Sequence, residues 1–140
     1  AFDPMLAQGN PVWAETGVQC ASLDELVAQA DVISLHVPLT PGTANLLSAQ
    51  RIAQMKRGAV VINTSRGGIA DEAAVAAALR EGRLGGAAFD VFEPEPLAAG
   101  TAWQGCPNAI LTPHVAGVTS ESNVRVSTLI AAAVARALKA

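Results

Sequence analysis

Charge is scarce in this sequence: Asp, Glu, Lys and Arg make up 15% of the 140 residues, and the formal net charge is −3. The nine Lys and Arg are scattered singly, so no basic stripe follows a phosphate backbone and nucleic acid is excluded as a partner. Long hydrophobic runs are missing too. The longest, near Leu129–Ala135, ends at Arg136 and falls short of the ~20 residues needed to cross a bilayer. The opening Ala1-Phe2-Asp3-Pro4 has neither the basic start nor the apolar stretch of a secretory leader. Cysteine occurs twice, at Cys20 and Cys106, far apart and in no metal-ligand spacing. That pattern predicts two free, packed thiols in a reducing compartment, and no metal site. A Gly-x-Gly-x-x-Gly loop is also absent: Gly82-Arg-Leu-Gly85-Gly86 has the wrong spacing, and Gly67-Gly68 follows a different strand. With 51% hydrophobic residues and no low-complexity run, the chain can form one domain with a sizeable core.

Short β-branched apolar runs alternate with alanine-rich amphipathic stretches. The runs predict buried strands at Val32–Val37, Val60–Thr64, Ala87–Val91 and Ile110–Thr112. Near-continuous apolarity is what a parallel strand covered on both faces requires. Ala1-Phe2-Asp3 reads as the tail of an earlier strand and Val18–Cys20 as another short one, giving about six. Ser22-Leu-Asp-Glu25 is a capping box that opens a helix through Ala30. Ser48 caps a helix to about Lys56, Asp71 starts one to Arg80, and a last helix runs from about Ser120 to the C-terminus. The Pro-rich Glu93-Pro-Glu-Pro96 is a loop. Strand, helix, strand in short succession implies right-handed crossovers, hence an α/β, doubly wound, Rossmann-like parallel sheet, incomplete at its N-terminus.

Ligands of such sheets bind beyond the carboxyl ends of the strands. Asp3, His36, Thr64-Ser65-Arg66, Asp90, Glu95 and His114 all fall at or just past such ends. Chance placement would scatter some to the other edge, so the coincidence points to one site.

Four segments carry a family resemblance: Asp31-Val-Ile-Ser-Leu-His-Val-Pro-Leu-Thr-Pro41, Met55-Lys-Arg-Gly-Ala-Val-Val-Ile-Asn-Thr-Ser-Arg-Gly-Gly68, Asp90-Val-Phe-Glu-Pro-Glu-Pro96 and Thr112-Pro-His-Val-Ala-Gly117. In this order they resemble the NAD-binding domain of the D-isomer-specific 2-hydroxy-acid dehydrogenases (phosphoglycerate dehydrogenase-like), across nearly the whole chain. The resemblance implies that Arg66 binds the substrate carboxylate, as a guanidinium fork matches two carboxylate oxygens. It implies His114 as the general acid–base, whose ordinary pKa suits a hydroxyl proton. Glu95 would hold the other ring nitrogen. Glu93 is the competitor, but it lies too close to the strand. Singly, each has a plainer reading: a surface arginine in a turn, a strand-end histidine, a solvated loop glutamate. Only the shared pattern raises them above it.

The same resemblance implies NAD as cofactor. Asp3 matches the acidic residue that accepts from the adenosine ribose and repels a 2′-phosphate, favouring NAD over NADP. Asp90 resembles the carboxamide-binding aspartate. His36, Val37 and Pro38 resemble the segment that passes the cofactor, with no proton chemistry for His36. Thr64, Ser65, Arg66, His114 and Gly117 complete the implied cofactor contacts. The substrate would be a small 2-hydroxy or 2-keto acid, and the full-length protein a cytoplasmic homodimer. Two departures stand out: the glycine-rich loop that holds the pyrophosphate, and the substrate domain that closes over the nicotinamide. The chain therefore reads as part of an enzyme, a partial NAD-binding domain over residues 1–140 that begins at the end of its second strand and is inactive alone. Alternatives are a dinucleotide-sensing binding module and a phosphite-type dehydrogenase. Formate has no hydroxyl proton to lose, and the formate branch lacks this glutamate.

Overall fold

The computed structural model describes residues 1–138; Lys139 and Ala140, with the end of the expected C-terminal helix, lie outside the described residues. Four strands form one sheet: β1 (Val32–Leu35), β2 (Val60–Asn63), β3 (Gly86–Phe89) and β4 (Ala109–Leu111). They lie in the order β1-β2-β3-β4, every neighbour parallel, with Val32 opposite Val60 and Val60 opposite Gly86. The helices are α1 (Val12–Thr16), α2 (Leu23–Gln29), α3 (Ala49–Gln54), α4 (Glu72–Arg80) and α5 (Ser120–Ala137).

Local chemistry sets the helix starts. Ser22 and Glu25 form the reciprocal capping box: Glu25 N–H donates to Ser22 Oγ at 3.3 Å, and Ser22 N–H donates to Glu25 Oε2 at 2.9 Å. Ser48 and Asp71 cap α3 and α4 one way only, their side chains accepting the Arg51 and Ala74 amides. The five-residue α1 was not foreseen; Asn10 Oδ1 takes the Val12 amide at 3.0 Å just before it.

Because each crossover moves one strand along in the same direction, right-handed connections stack α3 and α4 on one face. Burial follows the two-residue strand period. Ile33, Leu35, Val61, Asn63, Ala87 and Phe89 are buried under the helices with Val27, Ile52, Val75 and Leu79. Each fully buried branched side chain contributes about 1.5–3 kcal/mol.

Three sequence expectations need correction. The four strands are not buried on both faces: Val32 is 53% and Ile110 68% exposed, on the face opposite α3 and α4. Apolar runs mark residues able to be buried, not the presence of a layer that buries them. Neither Ala1–Asp3 nor Val18–Cys20 is a strand, so the described residues form four strands rather than about six. They do make one parallel-type rung, Ala1 N–H to Gln19 O at 2.5 Å and Ala21 N–H to Ala1 O at 2.9 Å. The strands also stop two residues short of Val37 and Val91 and one short of Thr64 and Thr112, where the chain turns into the site.

Candidate active site

Beyond the C-terminal ends of β2, β3 and β4, three turns meet. The first carries Arg66. Asn63, buried at the end of β2, shapes it: its side-chain amide donates to Arg66 O at 2.9 Å, and its Oδ1 accepts the Ser65 amide at 3.1 Å. The Ser65 hydroxyl donates to Val37 O, tying this turn to the segment after β1. Arg66 is exposed, with Nη1 on Ser65 O at 2.6 Å.

The second turn follows β3. Asp90 is 2% exposed, and its carboxylate is taken up by the third turn. Oδ1 accepts from the Thr112 hydroxyl and, at 2.8 Å, from Val115 N–H; Oδ2 accepts from Ala116 N–H at 2.8 Å. Burial alone would raise the Asp90 carboxyl, but the Thr112 hydroxyl and the two amides outweigh it and hold it below the usual range. These bonds fix His114, whose backbone lies in the left-handed region at φ 57°. A non-glycine residue there costs on the order of 1–3 kcal/mol and persists only when its surroundings enforce it.

Glu95 meets His114 across these turns. Its Oε2 lies 2.8 Å from His114 Nδ1, and its Oε1 accepts the Phe92 amide at 2.9 Å. An ionised carboxylate only accepts, so the Nδ1 proton belongs to the imidazole. In the neutral ring Nε2 then carries the free lone pair, with no protein partner among the described residues. The His114 hydrogen bond is the main force holding the Glu95 carboxyl below the usual glutamate range; the Phe92 amide and the charges of His114 and Arg66 add to it. A group so shifted contributes stability above its unfolded pKa and loses it as pH falls through the folded value. Carbon-13 titration of the Glu95 carboxyl should therefore give a midpoint below that of an ordinary glutamate. His114→Ala should return it most of the way, and an unchanged midpoint would show that the ring is not its partner.

The sequence candidates divide between two cavities. One of about 520 Å³ is lined by Glu95, His114, Phe92, Leu97, Leu111 and Thr112, with Pro96 and Pro113. Another, of about 400 Å³, lies along β1 and is lined by Asp3, His36 and Val37 with apolar residues that include Phe2 and Trp13. The structure thus brings Glu95 and His114 together, with Arg66 near enough for its charge to reach Glu95. Asp3 and His36 share the second cavity instead. Asp3 Oδ1 already accepts the Met5 amide at 2.8 Å, a local turn, and His36 Nε2 is bonded to Ser34 Oγ at 2.8 Å. Pro38, Thr64 and Gly117 are exposed and line neither cavity. Among the described residues no group of three His, Cys, Asp or Glu could hold a metal ion. Sequence reasoning missed Asn63; its one trace was an amide in register with the buried positions of β2.

Residues 1–116 match the family described as D-isomer specific 2-hydroxyacid dehydrogenase, NAD binding domain. The chain belongs to that family. Over 138 residues it is 48% identical to the (S)-sulfolactate dehydrogenase of Chromohalobacter salexigens, covering 99% of this chain and 44% of the relative. Over 131 residues it is 44% identical to the D-3-phosphoglycerate dehydrogenase of a Synechocystis species, covering 94% and 23%. Among solved structures, the NAD-dependent formate dehydrogenase of Staphylococcus aureus in complex with NAD aligns with TM-score 0.81 at 32% identity, over 98% of this chain and 40% of that one. The chain thus spans less than half the length of these 2-hydroxyacid dehydrogenases and their formate-oxidising relative. Its parallel sheet is that of the family's NAD-binding domain, with β1 to β4 arranged as a Rossmann-like half.

Proposed function

We propose that this chain supplies the dinucleotide-binding and acid–base half of an NAD-dependent dehydrogenase acting on a small 2-hydroxy or 2-keto acid. The observation that carries the reading is the 2.8 Å contact between Glu95 and His114 Nδ1, which leaves Nε2 free for a substrate oxygen. The cofactor fits the chain's own residues: the Asp3 carboxylate at the apolar cleft along β1 suits ribose hydroxyls, and the turns bearing Thr64, Ser65, Asp90 and Gly117 lie at the strand ends where a dinucleotide would cross. Bound NAD would supply the hydride acceptor on carbon.

In oxidation His114 Nε2 takes the hydroxyl proton while Glu95 stabilises the imidazolium; in reduction the proton returns to the carbonyl oxygen. Arg66 grips the carboxylate in a two-bond fork and fixes C2 against the cofactor. Glu95 favours a hydroxy acid over formate, whose oxidation releases no hydroxyl proton. A substrate-binding domain outside this chain, a homodimer and a cytoplasmic setting belong to the same reading, the last supported by the two free thiols, Cys20 and Cys106.

The test is a panel of 2-keto acids with NADH, phosphite and formate with NAD, on the whole protein. Turnover is expected for a 2-keto acid; none across the panel would return the chain to a dinucleotide-sensing role. Arg66→Lys keeps the charge and loses the fork. Losing one charge-assisted hydrogen bond, about 1.5–3 kcal/mol, should raise KM for the keto acid roughly 10- to 100-fold with a smaller change in kcat. A kcat defect at constant KM would place Arg66 elsewhere in the reaction.

A further inference from the structure

The loop that carries Glu95 is closed by a carboxylate outside the acid–base pair. Glu72 opens α4, and its two oxygens reach the two ends of that loop. Oε1 accepts the Glu93 amide at 2.8 Å, and Oε2 accepts the Trp103 indole N–H at 2.8 Å. Trp103 is 4% exposed and packs on Phe89, ring centroids 4.7 Å apart, and edge-on to Phe92 at 6.4 Å. The loop's far end is thereby anchored to the core. At its near end the consecutive amides of Phe92 and Glu93 go to two different carboxylates, Glu95 and Glu72.

A glutamate in the first turn of a helix needs only solvent to complement the helix dipole. Glu72 is instead half-buried beside Glu93 and Glu95. Burial pushes its carboxyl above the usual range, the two like charges push the same way, and the Trp103 and Glu93 bonds oppose them. Such a placement costs stability, and the two loop donors are what it gains. We propose that Glu72 is a positioning residue for the acid–base couple: by closing the Glu93–Trp103 loop it fixes where Glu95 meets His114. The kinetic part of this inference rests on the proposed dehydrogenase; the structural part does not.

Glu72→Ala removes both acceptors, while Trp103→Phe removes one donor and keeps the aromatic packing. The protein has two histidines, and His36, bonded to Ser34, is an internal reference. At a pH where both rings are neutral, nitrogen-15 spectra of the parent should show His114 held in the Nδ1-protonated form. Glu72→Ala should shift those signals toward mixed tautomers with His36 unmoved, and Trp103→Phe should shift them the same way by less. In the whole protein the two variants should lower kcat for the 2-keto acid, Glu72→Ala by roughly 10- to 100-fold, with KM little changed. Unmoved His114 signals in folded Glu72→Ala overturn the proposal; should that variant not fold, unmoved signals in Trp103→Phe do so. A KM effect at constant kcat overturns it too. A whole protein that turns over no 2-keto acid defeats the dehydrogenase reading instead, and the nitrogen-15 result still decides Glu72.

Discussion

Replacing His114 with Ala in the whole protein should lower kcat by about the 10²–10⁴-fold typical of a lost general acid–base, with NAD affinity little changed. The structure explains why no neighbour should substitute. Glu95 loses its Nδ1 partner in the variant but stays braced by the Phe92 amide, so it reaches the position that Nε2 vacates only by leaving that amide. His36, the one other imidazole, lines the separate cleft along β1 and is tied to Ser34. The variant should also become insensitive to pH across the range in which the parent's rate changes with imidazole protonation. Steady-state kinetics in both directions would check this. A kcat within a few-fold of the parent would remove His114 from the chemistry.

Gly67→Ala should be the most damaging change outside the acid–base pair. A Cβ at Gly67 would lie 2.0 Å from Phe92 O, 2.2 Å from Phe92 C and 2.8 Å from Glu93 N. All three are backbone atoms, so no side chain can swing away. The turn bearing Arg66 and the loop bearing Glu95 would have to part by more than 1 Å. Overpacking of this kind costs about 1–3 kcal/mol in stability. A displacement of that size between positioning groups and the chemistry costs about 10²-fold in rate. Thermal unfolding and kcat/KM should both fall, whereas Gly9→Ala, with open space around it, should leave both near the parent. A fully active Gly67→Ala would mean that the two turns are not mutually registered.

What the sequence made legible was local or motif-borne. The caps at Ser22, Ser48 and Asp71 work within three residues, so helix starts could be read directly. Parallel strands revealed themselves as apolar runs, and Arg66, Glu95 and His114 as parts of an ordered set of signatures. Burial of the second sheet face was not legible, since apolar residues do not say whether a partner layer is present to cover them. Asn63, Glu72 and Trp103 also escaped notice. Glu72 acquires its meaning only when residues 21 and 31 positions further on return to it, and no periodicity encodes that return. Asp90 was read as a cofactor contact from the family resemblance, with a strand-end cap as the plainer reading. Its three donors come from a turn more than 20 residues later, which only the fold could reveal.

Asp90 also has a mechanical consequence. Shortly past His114 the chain runs into α5, which presents Val124, Leu129, Ile130 and Val134 outward. Between base and helix, Val115 and Ala116 are bolted to Asp90, and Thr112 is bolted to it on the strand side. The imidazole is thus held between two segments that hydrogen-bond to one buried carboxylate, and α5 begins only after the second of them.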